Sequence, residues 1–387
     1  MDDALGARGG RFNTALRRLV VVVLGLNLLV LAALVAVVAV GDDDADDAEP
    51  GEAVEADIAA PTSAPTAIPS TSAPTTSAAP EPPAVLPAEE IAEPVDSTPA
   101  QAPEPPAYPA LFEPTANEPQ PDAKRMGAFI AYLITNYDAD ASLADVLATL
   151  PAGAAEIAGL PVEVDVVHHP GMWSRGTVEY VQLGGHLNGR ISNIVVIRQD
   201  IGIDGDAEPS RIERRVMEVR LARDAAGAWR LETIASAGGD AVERPADLSE
   251  IAAAVVDHDR IDLPDTAAWD IYRGLIDRQV LQVMLDIADR TPYAVVVLQT
   301  GHSYNVFGTD RVSNHSVGRA VDIYKLDDEL VVDSHDTSSD FYALSEWIVS
   351  RDDIREFGSP WKFPGAVAHT FTNEVHHDHL HIGVNPQ

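Results

Sequence analysis

A chain of 387 residues has room for two or three domains. Its 61 acidic against 26 basic side chains give a formal charge of -35, which argues against nucleic acid as a partner. The absence of cysteine excludes disulfides, thiol catalysis and a lipid-modified cysteine anchor. Residues 1–18 carry Arg8, Arg11, Arg17 and Arg18 ahead of the apolar run Leu19–Val40, in which Asn27 is the only polar side chain. Such a run is long enough to cross a bilayer as a helix. The arginines before it and Asp42, Asp43, Asp44, Asp46 and Asp47 after it predict a single-pass protein of the cell membrane, with residues 1–18 cytoplasmic and all later domains outside. A cleaved signal peptide is the alternative, but its apolar core is usually only about 7–15 residues.

Residues 41–122 are mostly Pro, Ala, Thr, Ser and Glu and hold more than half of the 28 prolines. Such a segment buries too little apolar surface to offset its ordering entropy, so it is expected to be a disordered linker. Extended at about 3.1 Å per residue, it would reach on the order of 250 Å.

Globular composition returns over 123–245. Met126–Tyr137 and Ser142–Leu150 have helical spacing. Alternating stretches follow at Val162–Val167, Gly176–Leu183, Ser192–Arg198, Arg215–Arg223 and Trp229–Ser236, with a hairpin turn at Asp224–Gly227. Helices followed by strands predict a small α+β domain. His168, His169 and His186 lie in it without a ligand constellation around them, so the domain reads as a spacer or binding module with no assignable chemistry.

The last segment, 246–387, predicts a second α+β unit. Leu248–Val256 is a short helix and Ala267–Asp289 a long one, with Tyr272, Ile276, Val280, Val283 and Ile287 as its apolar stripe. Tyr293–Gln299 reads as a buried strand, Ala320–Tyr324 as the next strand and Ser338–Val349 as a helix. Two stretches here offer metal chemistry. Ser313-Asn-His-Ser-Val-Gly-Arg-Ala-Val-Asp322 presents an imidazole, His315, and a carboxylate, Asp322, with Gly318 and Ala320 leaving room for close backbone approach. Asp378-His-Leu-His381 presents two more imidazoles, His379 and His381. If Leu380–Val384 is a strand, its period of two sends Leu380 and Ile382 into the core and the imidazoles to the other face. A catalytic zinc needs three such ligands and an open position.

The two motifs together resemble those of the zinc D-Ala-D-Ala carboxypeptidase family, which includes L-alanyl-D-glutamate endopeptidases and shares its zinc fold with the hedgehog signalling domain. Ser313, His315, Gly318, Ala320 and Asp322 match the first motif, and Asp378, His379 and His381 the second. The resemblance covers roughly residues 262–387. It implies zinc on His315, Asp322 and His381, Asp378 as general base and His379 as an uncoordinated stabiliser of the oxyanion. It also implies a peptidoglycan stem peptide as substrate. Strict alternation would point Asp378 away from His381, so the strand must bend or begin after Asp378. Gln299, Arg311 and Arg319 are candidates to grip a substrate carboxylate, and His302 lies in the same loop, which leaves carboxypeptidase and endopeptidase both open. His376 and His377 read as solvated or supporting, and Trp361 as core or edge packing. A non-catalytic zinc module that binds wall peptide or a partner protein is the alternative from a different class. No His-Glu-x-x-His or Gly-x-Ser-x-Gly motif offers other hydrolytic chemistry.

Overall fold

The computed structural model describes residues 104–386. Among them no helix is long and apolar enough to cross a membrane. The run Leu19–Val40 expected to do so lies outside the described residues, as does the linker up to residue 103. The described chain is α+β and carries two sheets.

The linker expectation fails over residues 104–120, which lie against folded structure. Arg175 donates from Nε to the Pro106 carbonyl at 2.6 Å, and its guanidinium lies 4.1 Å from the centroid of the Tyr108 ring. Thr115 and Asn117 both donate to Asp333, at 3.1 and 2.9 Å. The composition of this segment is that of a linker; its partners are supplied from far along the chain.

The first unit opens with helices α1 (Pro121–Thr135), α2 (Leu143–Leu147) and α3 (Leu160–Val167). Strands β1 (Met172–Leu187), β2 (Arg190–Ile203), β3 (Arg211–Arg223) and β4 (Trp229–Ser236) then form an antiparallel sheet in sequence order. Val162–Val167, expected as a strand, belongs to helix α3. Pro161 sits in its first turn, and Leu160, Val164 and Val167 fall on one buried face at helical spacing. One face of the sheet packs on the helices through Val181, Leu183, Val195, Ile197, Met217 and Val219.

The second unit contains α4 (Glu250–Val256), β5 (Ile261–Asp262), α5 (Asp265–Tyr272), α6 (Arg278–Ala288), β6 (Tyr293–Val297), β7 (Ala320–Leu326) and β8 (Glu329–Leu330). It ends with α7 (Asp340–Val349), β9 (Ile354–Gly358), β10 (His369–Phe371) and β11 (Leu380–Val384). The strands make a seven-stranded mixed sheet in the order β10-β9-β11-β7-β6-β5, with β8 beside β7. Val295, Val321, Ile323, Leu380 and Ile382 fill one face with the apolar sides of the helices.

The opposite face meets the first unit. Tyr180, Ile194, Val196 and Val216 pack on Ala294, Val296, Val297 and Tyr324, and the Tyr180 and Tyr324 rings stack at 4.3 Å. This explains why every side chain of β6 is buried: both of its faces are covered.

The single helix expected over Ala267–Asp289 is two, α5 and α6, parted at Gly274 with φ +69°. The break has a use. It brings the Leu275 carbonyl against Gly318, where an added Cβ would stand 1.8 Å from that oxygen, while the Asp277 N–H donates to the Gly318 carbonyl at 2.9 Å. Gly318 itself has φ +67° and ends the turn that carries His315. Gly318→Ala therefore meets both an unfavourable backbone conformation and a backbone clash. It should lower stability by at least about 2 kcal/mol, read as a reduced midpoint in urea denaturation.

Candidate metal centre

Asp322 on β7 and His381 on β11 are direct partners across the antiparallel pair. The alternation that sends Val321, Ile323, Leu380 and Ile382 into the core turns these two the other way. β11 begins at Leu380, so Asp378 and His379 precede the strand and are released from its alternation. His315 arrives from the short 3-10 turn His315–Val317. Its Nε2 lies 3.1 Å from Asp322 Oδ1 and 3.2 Å from His381 Nδ1, and the latter two atoms are 2.9 Å apart. The edges of a tetrahedron around an ion with bonds of about 2.0–2.1 Å are about 3.3 Å, close to all three separations.

The remaining nitrogens fix which atoms face inward. His315 Nδ1 donates to the Leu298 carbonyl at 2.6 Å. His381 Nε2 donates to Glu356 Oε1 at 3.1 Å, a carboxylate also held by Asn314 Nδ2 at 2.6 Å. Metal-bound histidines are oriented in this way, through the ring nitrogen that does not bind. Two imidazole lone pairs and a carboxylate oxygen thus converge on one point, an arrangement that calls for positive charge between them. Burial alone would lower the pKa of His381; its hydrogen bonds to Asp322 and Glu356 instead raise it to about 10. A cation entering here displaces that proton. The donor set fits a divalent metal, and its nitrogen and oxygen chemistry suits zinc among others.

His302 brings a further nitrogen, within 4.8 Å of donor atoms of His315 and Asp322. Its ring lies nearly parallel to that of His315, 4.2 Å away at 18°. An imidazole binds metal in its ring plane, so two stacked rings direct their lone pairs side by side and His381 is the better third ligand. His302 Nδ1 donates to the Ser303 carbonyl at 2.9 Å.

Asp378 and His379 lie beside this trio. Asp378 Oδ1 accepts from His379 Nδ1 at 2.6 Å, and His379 Nε2 faces Asp322 Oδ2 at 3.7 Å. The other oxygen, Asp378 Oδ2, accepts from the Leu183 N–H at 2.8 Å and from the ammonium of Lys124. Burial opposes the charge on Asp378, but Lys124 and His379 outweigh it and hold its carboxyl below the ordinary range. Gln182 donates to Asp322 Oδ2 at 2.6 Å, and the Tyr180 hydroxyl to the Asp378 carbonyl at 2.9 Å. Lys124, Tyr180, Gln182 and Leu183 all belong to the first unit, which the sequence reading left without chemistry. Sequence reasoning missed them because no local motif surrounds them. The one available signal was a lysine on the apolar side of a helix in a chain with three lysines.

Of the other candidates, His376 stands beside the site, 5.0 Å ring to ring from His379, whereas the His377 carbonyl accepts from His335. Arg311 is exposed, 4.0 Å from Glu356. Gln299 is engaged with the Ser316 carbonyl at 2.7 Å. Trp361 packs in the core beside Tyr342. His168, His169 and His186 lie elsewhere, on Ala141, Arg211 and Glu374. No family model, curated protein or solved structure matches this chain.

Two measurements follow from this geometry. The protein should bind one equivalent of Zn2+ or Co2+ with release of a proton, seen by calorimetry in buffers of different ionisation enthalpy, and His381→Ala should abolish it. The second concerns Glu118, which shares the Lys124 ammonium with Asp378. One lysine cannot neutralise two buried carboxylates, and burial, opposed by Lys124, raises Glu118 from 4.5 to about 7. With the folded pKa above the unfolded one, the stabilisation is full below about pH 4.5 and is lost as pH rises through about 7. Glu118→Gln should remove this dependence, which is on the order of 3 kcal/mol, from denaturation curves taken between those limits.

Proposed function

We propose that the protein is a membrane-anchored zinc peptidase working outside the cell on peptidoglycan stem peptides, as a D-Ala-D-Ala carboxypeptidase or an endopeptidase. The observation that carries this reading is the convergence of His315 Nε2, Asp322 Oδ1 and His381 Nδ1 with their distal nitrogens already tied down. The motif resemblance supports the choice of peptide chemistry. When bound, zinc would lower the pKa of water and polarise the scissile carbonyl.

The chain's own contribution is proton handling and charge stabilisation. Asp378 has both oxygens engaged, by Lys124, the Leu183 N–H and His379. With neither oxygen free, it is not the direct base that the motif resemblance implies; in this reading it acts through His379, whose Nδ1 it holds and whose Nε2 faces the candidate ligand trio. His379 Nε2 then takes the proton and returns it to the leaving amine, while the Asp378 carboxylate stabilises the imidazolium. As an imidazolium the same ring favours a developing oxyanion.

A second reading, a non-catalytic zinc module that binds wall peptide or a partner protein, is favoured by burial. None of His315, Asp322, Asp378, His379 and His381 is more than 8% exposed, and the sheet of the first unit covers their face. Incubating the zinc-loaded protein with purified peptidoglycan and following products by mass spectrometry separates the two. Release of D-Ala or of cut stem peptides, absent from Asp378→Ala and His381→Ala, is the expected result. Folded, zinc-replete wild type that releases nothing would favour the binding module.

A further inference from the structure

Lys124 sits in the first turns of α1 with no exposed surface. Its neighbours on that side of the helix, Ala123, Ala128 and Ala131, are buried and apolar. A buried ammonium costs several kcal/mol unless it is well paired, so packing alone gives no reason for lysine at this position. Its partners are Glu118, six residues earlier, and Asp378, 254 residues later in the second unit. Asp378 is equally buried.

The pairing has a directional consequence. Lys124 and the Leu183 N–H both take Asp378 Oδ2, so the carboxylate cannot rotate without losing two donors. Oδ1 is left for His379 Nδ1 at 2.6 Å. That bond fixes which His379 nitrogen carries the proton and turns Nε2 toward the ligand trio. Without Lys124, Asp378 would be a buried carboxylate lacking its counter-charge, free to take a proton or to turn.

We propose that Lys124 is a positioning residue of the metal site, acting through Asp378 to set the orientation of His379, so that the first unit completes the site. The proposal rests on the reading above only in taking the trio as a metal site beside which His379 handles a proton or an anionic oxygen. Glu118 pairs with the same ammonium from the far side, and its burial favours the protonated carboxyl, which leaves the positive charge of Lys124 to Asp378.

The test is a double-mutant cycle on the full chain with Lys124→Met, Asp378→Asn and the pair combined. Each variant is loaded with Co2+ and titrated with inorganic phosphate, whose oxyanion probes the donor beside the metal, while the cobalt visible spectrum is recorded. Where peptide turnover is found, kcat and KM are measured on the same set. Lys124→Met should bind cobalt stoichiometrically but weaken phosphate at least tenfold and lower kcat by a similar factor with KM little changed. Asp378→Asn should do the same. Adding Lys124→Met to Asp378→Asn should change neither quantity by more than about twofold, since nothing remains for Lys124 to act through.

Losses that multiply in the double variant would make Lys124 a structural residue and overturn the proposal. So would phosphate affinity and kcat that are unchanged or improved in Lys124→Met, the last meaning that the lysine obstructs the site. If Lys124→Met does not fold, the comparison of the double variant with Asp378→Asn decides alone, because there the unpaired charge is gone. Wild type that binds cobalt and phosphate but cuts no peptide would sink the peptidase reading, and the phosphate cycle would still judge Lys124. Wild type that binds no cobalt, or binds it but takes neither phosphate nor peptide, removes both.

Discussion

Asp322 and His381 face each other across adjacent antiparallel strands, and the geometry of the centre depends on that one pairing. The register is enforced from the opposite side of the sheet. Val321, Ile323, Leu380 and Ile382 are all in the core, and a slip of one residue would send them outward and the two candidate ligands inward. Hydrophobic packing on one face thus holds the donor atoms on the other. His315 joins through a different device, a turn closed at Gly318, where the absence of a side chain lets the Leu275 carbonyl come close.

A sheet face that carries a carboxylate and imidazoles cannot be covered by apolar side chains alone. The first unit answers this with a mixed surface. Tyr180, Ile194, Val196 and Val216 cover the apolar half, around the stacked Tyr180 and Tyr324 rings. Gln182, the Leu183 N–H and Lys124 meet the polar half. β1 is an edge strand, and the N–H of Leu183 on its open side finds its acceptor in Asp378. Each of these groups would be costly if buried without its partner, so the two units depend on one another for satisfaction of their polar atoms.

Elsewhere, sequence and structure part where local pattern competes with distant contacts. Trp229–Ser236 forms as its alternation predicts, and Ser339 caps α7 by accepting from the Tyr342 N–H. Val162–Val167 alternates like a strand, yet Pro161 and the spacing of Leu160, Val164 and Val167 serve a helix end better. The apolar stripe from Ile276 to Ile287 is real, but it says nothing of the break at Gly274, which exists to meet Gly318. Residues 104–120 look like linker because the arginine and aspartate that hold them lie at positions 175 and 333.

By itself the sequence determined a set of candidate donors in a loop and two strands and the α+β character of both units, while the choice of His315, Asp322 and His381 among those donors rested on the motif resemblance. The donor set and the α+β character follow from residue type and from periodicities of two and 3.6, which act within a few residues. Tertiary structure alone decided that Asp378 is held by Lys124 and Leu183, that Gln182 reaches Asp322, and that a second sheet covers the face carrying Asp322 and His381. These contacts join positions 140 to 254 residues apart. A lysine on a helix leaves no periodic trace of the carboxylate it will meet at that distance; only the packing of two complete sheets brings them together.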